Sequence, residues 1–205
     1  MSPDEVITAL GRYRIYNWVE PGSLYLHTEK FEFPPDYRKA ESFETDIALV
    51  VHNKIVNFVD YPRIRPICMW SGSGNFLDIE GRMGTVVGWG EDEHGNKPSP
   101  VPKKVDVPIV SRKTCIQGNT LLEKFTSSTN FCAGEKDGSG PCHGDSGSGL
   151  IINNNGRWEL RGIVAGIIQE GISQKSKFCN LDQYVVYVDI LPFDIWIRKI
   201  IDIYS

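Results

Sequence analysis

The sequence predicts an all-β fold, an antiparallel sandwich or barrel closed by one C-terminal helix. Three observations carry that expectation. Short runs of strand-forming residues recur between turn signals along most of the 205 residues. Gly and Pro, 20 and 12 in number, punctuate the chain too often for long helices. Helical periodicity with both faces legible occurs only at the C-terminal end.

The predicted strands are Arg12–Trp18, Leu24–Phe33, Asp46–His52, Gly84–Trp89, Lys103–Val110, Gly149–Ile152, Arg157–Ile168 and Gln183–Ile190. Residues 63–80, with Pro66 and the Gly/Ser-rich Ser71–Asn75, lack alternation and read as a connector. Leu121–Phe125 fits a short helix or a loop. Phe193, Trp196, Ile197, Ile200 and Ile201 follow the i, i+3, i+4, i+7, i+8 pattern, with Asp194, Arg198, Lys199 and Asp202 on the other face. Pro192 stands just ahead, where its fixed φ suits a first helical turn.

Composition narrows the function classes. Hydrophobic residues make up 40% and charged residues 23%, values of a folded chain rather than a disordered one. The net charge is −4 with no basic stripe, which argues against a nucleic-acid partner. No apolar run approaches the ~18–20 residues that span a bilayer, so no membrane partner is expected. The opening Met-Ser-Pro-Asp-Glu-Val has neither the cationic segment nor the apolar core of a signal peptide. Five cysteines spaced for disulfides, without an export signal, lead to the expectation that the natural protein begins further upstream.

The segment richest in chemistry is Asn130–Leu150, where Ser146 stands between Gly144 and Gly147 in a glycine-rich loop. A serine flanked by glycines is common in turns. It is not the strand-turn-helix elbow with Gly-x-Ser-x-Gly, because Ser148 takes the last glycine position and a strand follows. Gly144-Asp145-Ser146-Gly147, inside Phe131-Cys132-Ala133-Gly134…Cys142, resembles the nucleophile loop of the chymotrypsin-like serine proteases. Further matches follow in that family's order: Asp46-Ile47-Ala48-Leu49-Val50, Arg65-Pro66-Ile67-Cys68, Val87-Gly88-Trp89-Gly90, Val107-Pro108-Ile109-Val110…Cys115, and Val186-Tyr187 before the final helix. They cover nearly the whole chain. Gly147-Ser148-Gly149, where many members have Gly-Gly-Pro, is similar to arthropod developmental or immune cascade proteases.

The resemblance implies a chymotrypsin-like double antiparallel β-barrel with its first barrel incomplete, plus a C-terminal helix. It divides the chain into a partial N-terminal barrel (1–62), an inter-barrel connector (63–80) and a C-terminal barrel with closing helix (81–205). It implies a serine endopeptidase acting through an acyl-enzyme on Ser146, with Asp46 orienting the base and the N–H groups of Gly144 and Ser146 as the oxyanion hole. Asp46 alone would pass as an ordinary strand-start aspartate. No cofactor and no metal is implied. A zinc set of Cys132, Cys142 and His143 lacks the paired Cys-x-x-Cys spacing.

The base is missing. Only His27, His52, His94 and His143 are present, and none lies in the Thr-Ala-Ala-His-Cys-like segment the family places upstream of its aspartate. His52 follows Asp46 by six residues, about 20 Å along a strand at ~3.3 Å per residue. His94 falls in the polar Glu91–Asn96 turn, and His143 on the rim of the cleft. The resemblance also implies disulfides Cys115–Cys132 and Cys142–Cys179, each worth roughly 2–4 kcal/mol. Cys68 is left unpaired, where relatives bond a propeptide or light chain. Asp145 would pair with the amino terminus that activation creates, and is expected to lack that partner here.

At the base of the primary pocket stands Gly140, where a trypsin-like enzyme carries aspartate, and Ile167 and Val185 take wall positions usually held by glycine. A small apolar side chain fits such a pocket best; the alternative is a pocket out of use, as in a non-catalytic homologue acting as a binding partner in a proteolytic cascade. Protein or peptide substrates and an extracellular location follow for the full-length protein. An unrelated β-barrel binding module leaves the ordered motifs unexplained.

Overall fold

The computed structural model describes residues 2–37, 43–92, 96–167, 179 and 181–204. The expected Arg157–Ile168 strand is described to Ile167; His94 and the Gln169–Phe178 loop lie outside the described residues. Ten strands form two sheets. The first is three-stranded, in the order β1 (Ile7–Leu10), β2 (Leu24–Glu32), β3 (Leu49–His52), all antiparallel. The second is built from β4 (Cys68–Met69), β5 (Met83–Gly88), β6 (Lys103–Val110), β7 (Asn130–Ala133), β8 (Gly149–Asn154), β9 (Arg157–Ile167) and β10 (Val185–Asp189). Because β10 pairs with both β7 and β9, strands β5 to β10 close a six-stranded barrel, with β4 appended in parallel to β9.

Alternation fills that barrel. Val86, Val107, Ile109, Phe131, Leu150, Ile152, Val164, Val185 and Tyr187 point inward as one buried cluster. Trp70 joins them, so residues 63–80 supply a strand and a core aromatic rather than a bare link. Asn155 and Gly156, at φ 53° and 87°, form the two-residue turn between β8 and β9, which pair from Asn154↔Arg157 onward. α1 (Arg112–Gly118) is capped by Ser111, whose Oγ accepts from the Thr114 N–H, and α2 (Leu122–Phe125) takes the helical alternative. The final helix, α3 (Asp194–Tyr204), buries Ile197 with Phe193 against Val188, Ile190 and Ile47. No helix among the described residues is long and apolar enough to cross a membrane.

The three-stranded sheet departs from expectation at its start. Arg12–Trp18 is a looped turn, and the edge strand is Ile7–Leu10 instead. The Arg12 guanidinium causes this: it donates to the carbonyls of Arg14, Ile15 and Asn17 and lies 4.7 Å over the Trp18 ring. The Tyr13 and Arg14 amides donate to the Glu20 carboxylate, both at 2.9 Å. Backbone groups that would make a ladder are thus spent within the loop. Likewise Asp46–Ala48 precede the strand, which begins only at Leu49.

A buried acid ties β4 to β9. Glu159, opposite Cys68, accepts from the Ser71 amide (3.0 Å) and hydroxyl (2.8 Å), Arg157 Nε (2.7 Å) and Asn154 Nδ2 (3.2 Å). Burial works to raise its carboxyl, but these donors outweigh it and hold the pKa down at about 2. A folded-state value below the unfolded 4.5 gives stability that is complete above 4.5 and lost as pH falls toward 2. The melting temperature of the parent is therefore expected to drop more steeply on acidification through this window than that of Glu159→Gln. Parallel acid profiles would contradict the assignment.

Candidate active site

Ser146 is exposed at the crest of the loop between Cys142 and β8. The loop is fixed at both ends. Upstream, Cys142 is bonded to Cys179, and its N–H donates to Asp145 Oδ2 at 2.9 Å. Downstream, the Gly147 N–H donates to the Val164 carbonyl and the Val164 N–H to the Ser148 carbonyl, each at 2.9 Å. Gly144 and Gly147, at φ 95° and 88°, occupy conformations that an L side chain resists.

Asp145 is the loop's buried anchor. Gly90 donates its N–H to Oδ1 at 2.8 Å, so the carboxylate expected to be without a partner is held by two backbone amides. Its slot exists because two residues of the Val87-Gly88-Trp89-Gly90 motif lack side chains. A Cβ at Gly88 would lie 1.9 Å from Asp145 Oδ1, and one at Gly90 2.4 Å from Oδ2. Tyr187, stacked on Phe131 at 5.4 Å, is fully buried with its hydroxyl unpartnered among the described residues. Burial and the nearby Asp145 charge both push its pKa up.

The Gly144 and Ser146 amides donate to no acceptor among the described residues, and no partner among them engages the Ser146 hydroxyl. An exposed hydroxyl and two unengaged N–H groups thus lie within three consecutive residues of the loop.

Asp46 precedes a core residue. Ile47 is buried in a cluster that includes Ile163 and Ala165 of β9, and Val164 between them carries both hydrogen bonds to the Ser146 loop. Although Asp46 is exposed as a residue, burial of its carboxyl raises the pKa. No hydrogen bond to Asp46 is formed by the described residues. Nor does an imidazole among the described residues bond to Asp46 or Ser146. His27 is exposed in β2, His52 ends β3 with a buried, unpartnered Nδ1, and exposed His143 is held by its backbone, which accepts from Glu91 N–H at 2.8 Å.

Two of the predicted pocket residues are cross-strand partners. Val185, 2% exposed, faces Ile167 across β9 and β10 and belongs to the barrel core. A Cβ at Gly140 would lie 3.1 Å from Leu181 Cδ2, a contact without a local signal in the sequence. A cavity of about 510 Å³ opens on the Asp145 side, lined by Gly90, Glu91, Gly140, Cys142 and Leu181 but not by Ser146. The second disulfide, Cys115–Cys132, pins α1 to β7, while Cys68 is a free, exposed thiol. With Cys132 and Cys142 in separate disulfides, neither offers a thiolate to zinc.

Comparison with known proteins bears on this geometry. The sequence matches the trypsin family over residues 4–197. It is 33% identical to serine protease gd of Drosophila melanogaster over 226 residues, covering 97% of this chain and 42% of that protein. It is 31% identical to mannan-binding lectin serine protease 1 of Mus musculus over 179 residues, covering 86% of this chain and 23% of that protein. Identity to serine protease filzig of Drosophila melanogaster is 32% over 167 residues, covering 78% and 9%. The chain thus spans less than half the length of the curated relatives it matches.

Proposed function

Since the chain belongs to the trypsin family of serine proteases, we propose that it is the endopeptidase domain of a longer, secreted protein, hydrolysing peptide bonds through an acyl-enzyme on Ser146. The observation that carries this reading is the exposed Ser146 hydroxyl beside the unengaged amides of Gly144 and Ser146. In the proposed reaction Ser146 Oγ attacks the scissile carbonyl and gives its proton to an imidazole. The two amides receive the oxyanion, and the imidazole then protonates the leaving amine. Water attacks the acyl-enzyme and regenerates Ser146. Asp46 orients the imidazole and stabilises its charged form. Because none of the described histidines His27, His52 and His143 bonds to Ser146 or Asp46, and His94 falls in a polar turn remote in sequence from both, this reading assigns the base to a histidine outside these 205 residues.

The finer assignments extend this reading. Branched Ile167, with Leu181 against uncharged Gly140, favours a small apolar residue before the scissile bond. The cavity beside Asp145 has room for an amino terminus freed by activation. Exposed Cys68 suits a disulfide to a propeptide or light chain. Two disulfides favour an extracellular location.

The burial of Val185 also supports a second reading, a non-catalytic homologue that binds partners. Fluorophosphonate labelling separates the two. The activated full-length protein is expected to be labelled at Ser146 and Ser146→Ala not, while the 205-residue chain alone stays unlabelled. No labelling of the activated full-length protein would establish the homologue. Labelling of the short chain that depended on one of its own histidines would refute the external base.

A further inference from the structure

We propose that the cleft between the start of β7 and the β10–α3 junction is a docking site for an acidic, aromatic segment of a partner polypeptide. The cleft has a volume of about 480 Å³, and neither the Ser146 loop nor its disulfide partner Cys179 lines it. That volume falls within the ~300–1,000 Å³ typical of ligand sites. The proposal does not depend on catalysis.

Three features define what the cleft accepts. Phe76, Phe131, Leu191 and Pro192 give it an apolar side, facing Ser127, Ser128 and Asn130, and that side favours a flat or branched apolar group over a hydrated one. At its depth lies the Asp189 carboxylate, already neutralised by Arg161 and hydrogen-bonded by the Leu191 amide at 2.8 Å. This acid therefore leaves no demand for a cationic ligand. At the open side stands Arg112, exposed, with one hydrogen bond from Nη2 to the Thr126 carbonyl at 2.9 Å and no carboxylate paired to it among the described residues.

A guanidinium without a counter-charge among the described residues, at the edge of a partly apolar cleft, selects a carboxylate, which its planar fork binds in two-point fashion. The ligand chemistry is thus a bulky apolar group with a carboxylate beside it. Arg112 and Pro192 are both exposed and leave the cleft open on that side, so a chain can run across it. This favours an aromatic residue next to Asp or Glu in a protein over an enclosed small acid.

The test is calorimetric titration of the 205-residue chain with three probes: acetyl-Glu-Phe-Glu-amide, 3-phenylpropanoate and neutral 3-phenylpropanamide. The peptide is expected to bind more tightly than 3-phenylpropanoate, and the acid about tenfold more tightly than its amide. Arg112→Gln should abolish the acid's advantage, and Arg112→Lys, a point charge without the fork, should keep only part of it. Circular dichroism verifies that both variants remain folded. Equal affinity for acid and amide, an unchanged preference in Arg112→Gln, or no binding of any probe at about 10 mM would overturn the site. Tighter binding of 3-phenylpropanoate than of the peptide would overturn the polypeptide as its occupant.

Discussion

Asp189→Ala is expected to destabilise the barrel by about 3–5 kcal/mol, read as a lower urea midpoint with the disulfides intact. Arg161 is 1% exposed and projects from β9 beneath the rings of Trp70 and Phe131, 5.7 and 5.8 Å from their centroids. Its one ion-pair partner among the described residues is Asp189, and its Nε is buried without an acceptor among them. Removing the carboxylate strands a desolvated guanidinium and frees the Leu191 amide at the start of the turn into α3. The paired replacement Arg161→Met with Asp189→Leu removes both charges together and should recover most of the loss. A urea midpoint for Asp189→Ala close to that of the parent would show that the pair carries little.

Gly88→Ala is expected to cost at least about 3 kcal/mol and to release the Ser146 loop. The added carbon would stand 1.9 Å from Asp145 Oδ1 and 3.1 Å from Ser148 Oγ, so the carboxylate must leave its slot. Both amides that hold it, of Gly90 and Cys142, then lose their acceptor. Hydrogen exchange at those two amides should accelerate far more than at Val107 or Ile109 in the barrel wall. Combining Gly88→Ala with Asp145→Ala should add little to Asp145→Ala alone, because the collision then has no target. Unchanged protection at Gly90 and Cys142 would refute this account of why the two glycines are there.

Much of the barrel was legible because short runs of strand-forming residues between turns bury a common interior. Lys103–Val110 matches the observed strand at both ends, and the stripe from Phe193 to Ile201 marks a helix whose inner face is real. Failures fall where side chains compete with the ladder. Arg12 takes up three carbonyls and bends its own segment, and the loss of that strand displaced the edge to Ile7–Leu10. Cys68–Met69 is too short for any period, and it is a strand only because β9 lies beside it. Around Ser146 the residue types announced themselves, yet the cradle of Asp145 did not. Gly88 and Gly90 stood in the resemblance as bare motif letters, and their purpose is visible only where the chain returns across 55 residues to meet them. Leu181 against Gly140 is the same kind of omission.

Closure of the barrel through β10 imposes an order on biosynthesis. The strand that joins β7 to β9 is the last of the six to be translated, so an emerging nascent polypeptide carries two open seams until Val185–Asp189 has cleared the ribosome. During that interval the edges of β7 and β9 are templates for neighbouring chains. The strand order itself thus sets how long these edges stay uncovered during synthesis.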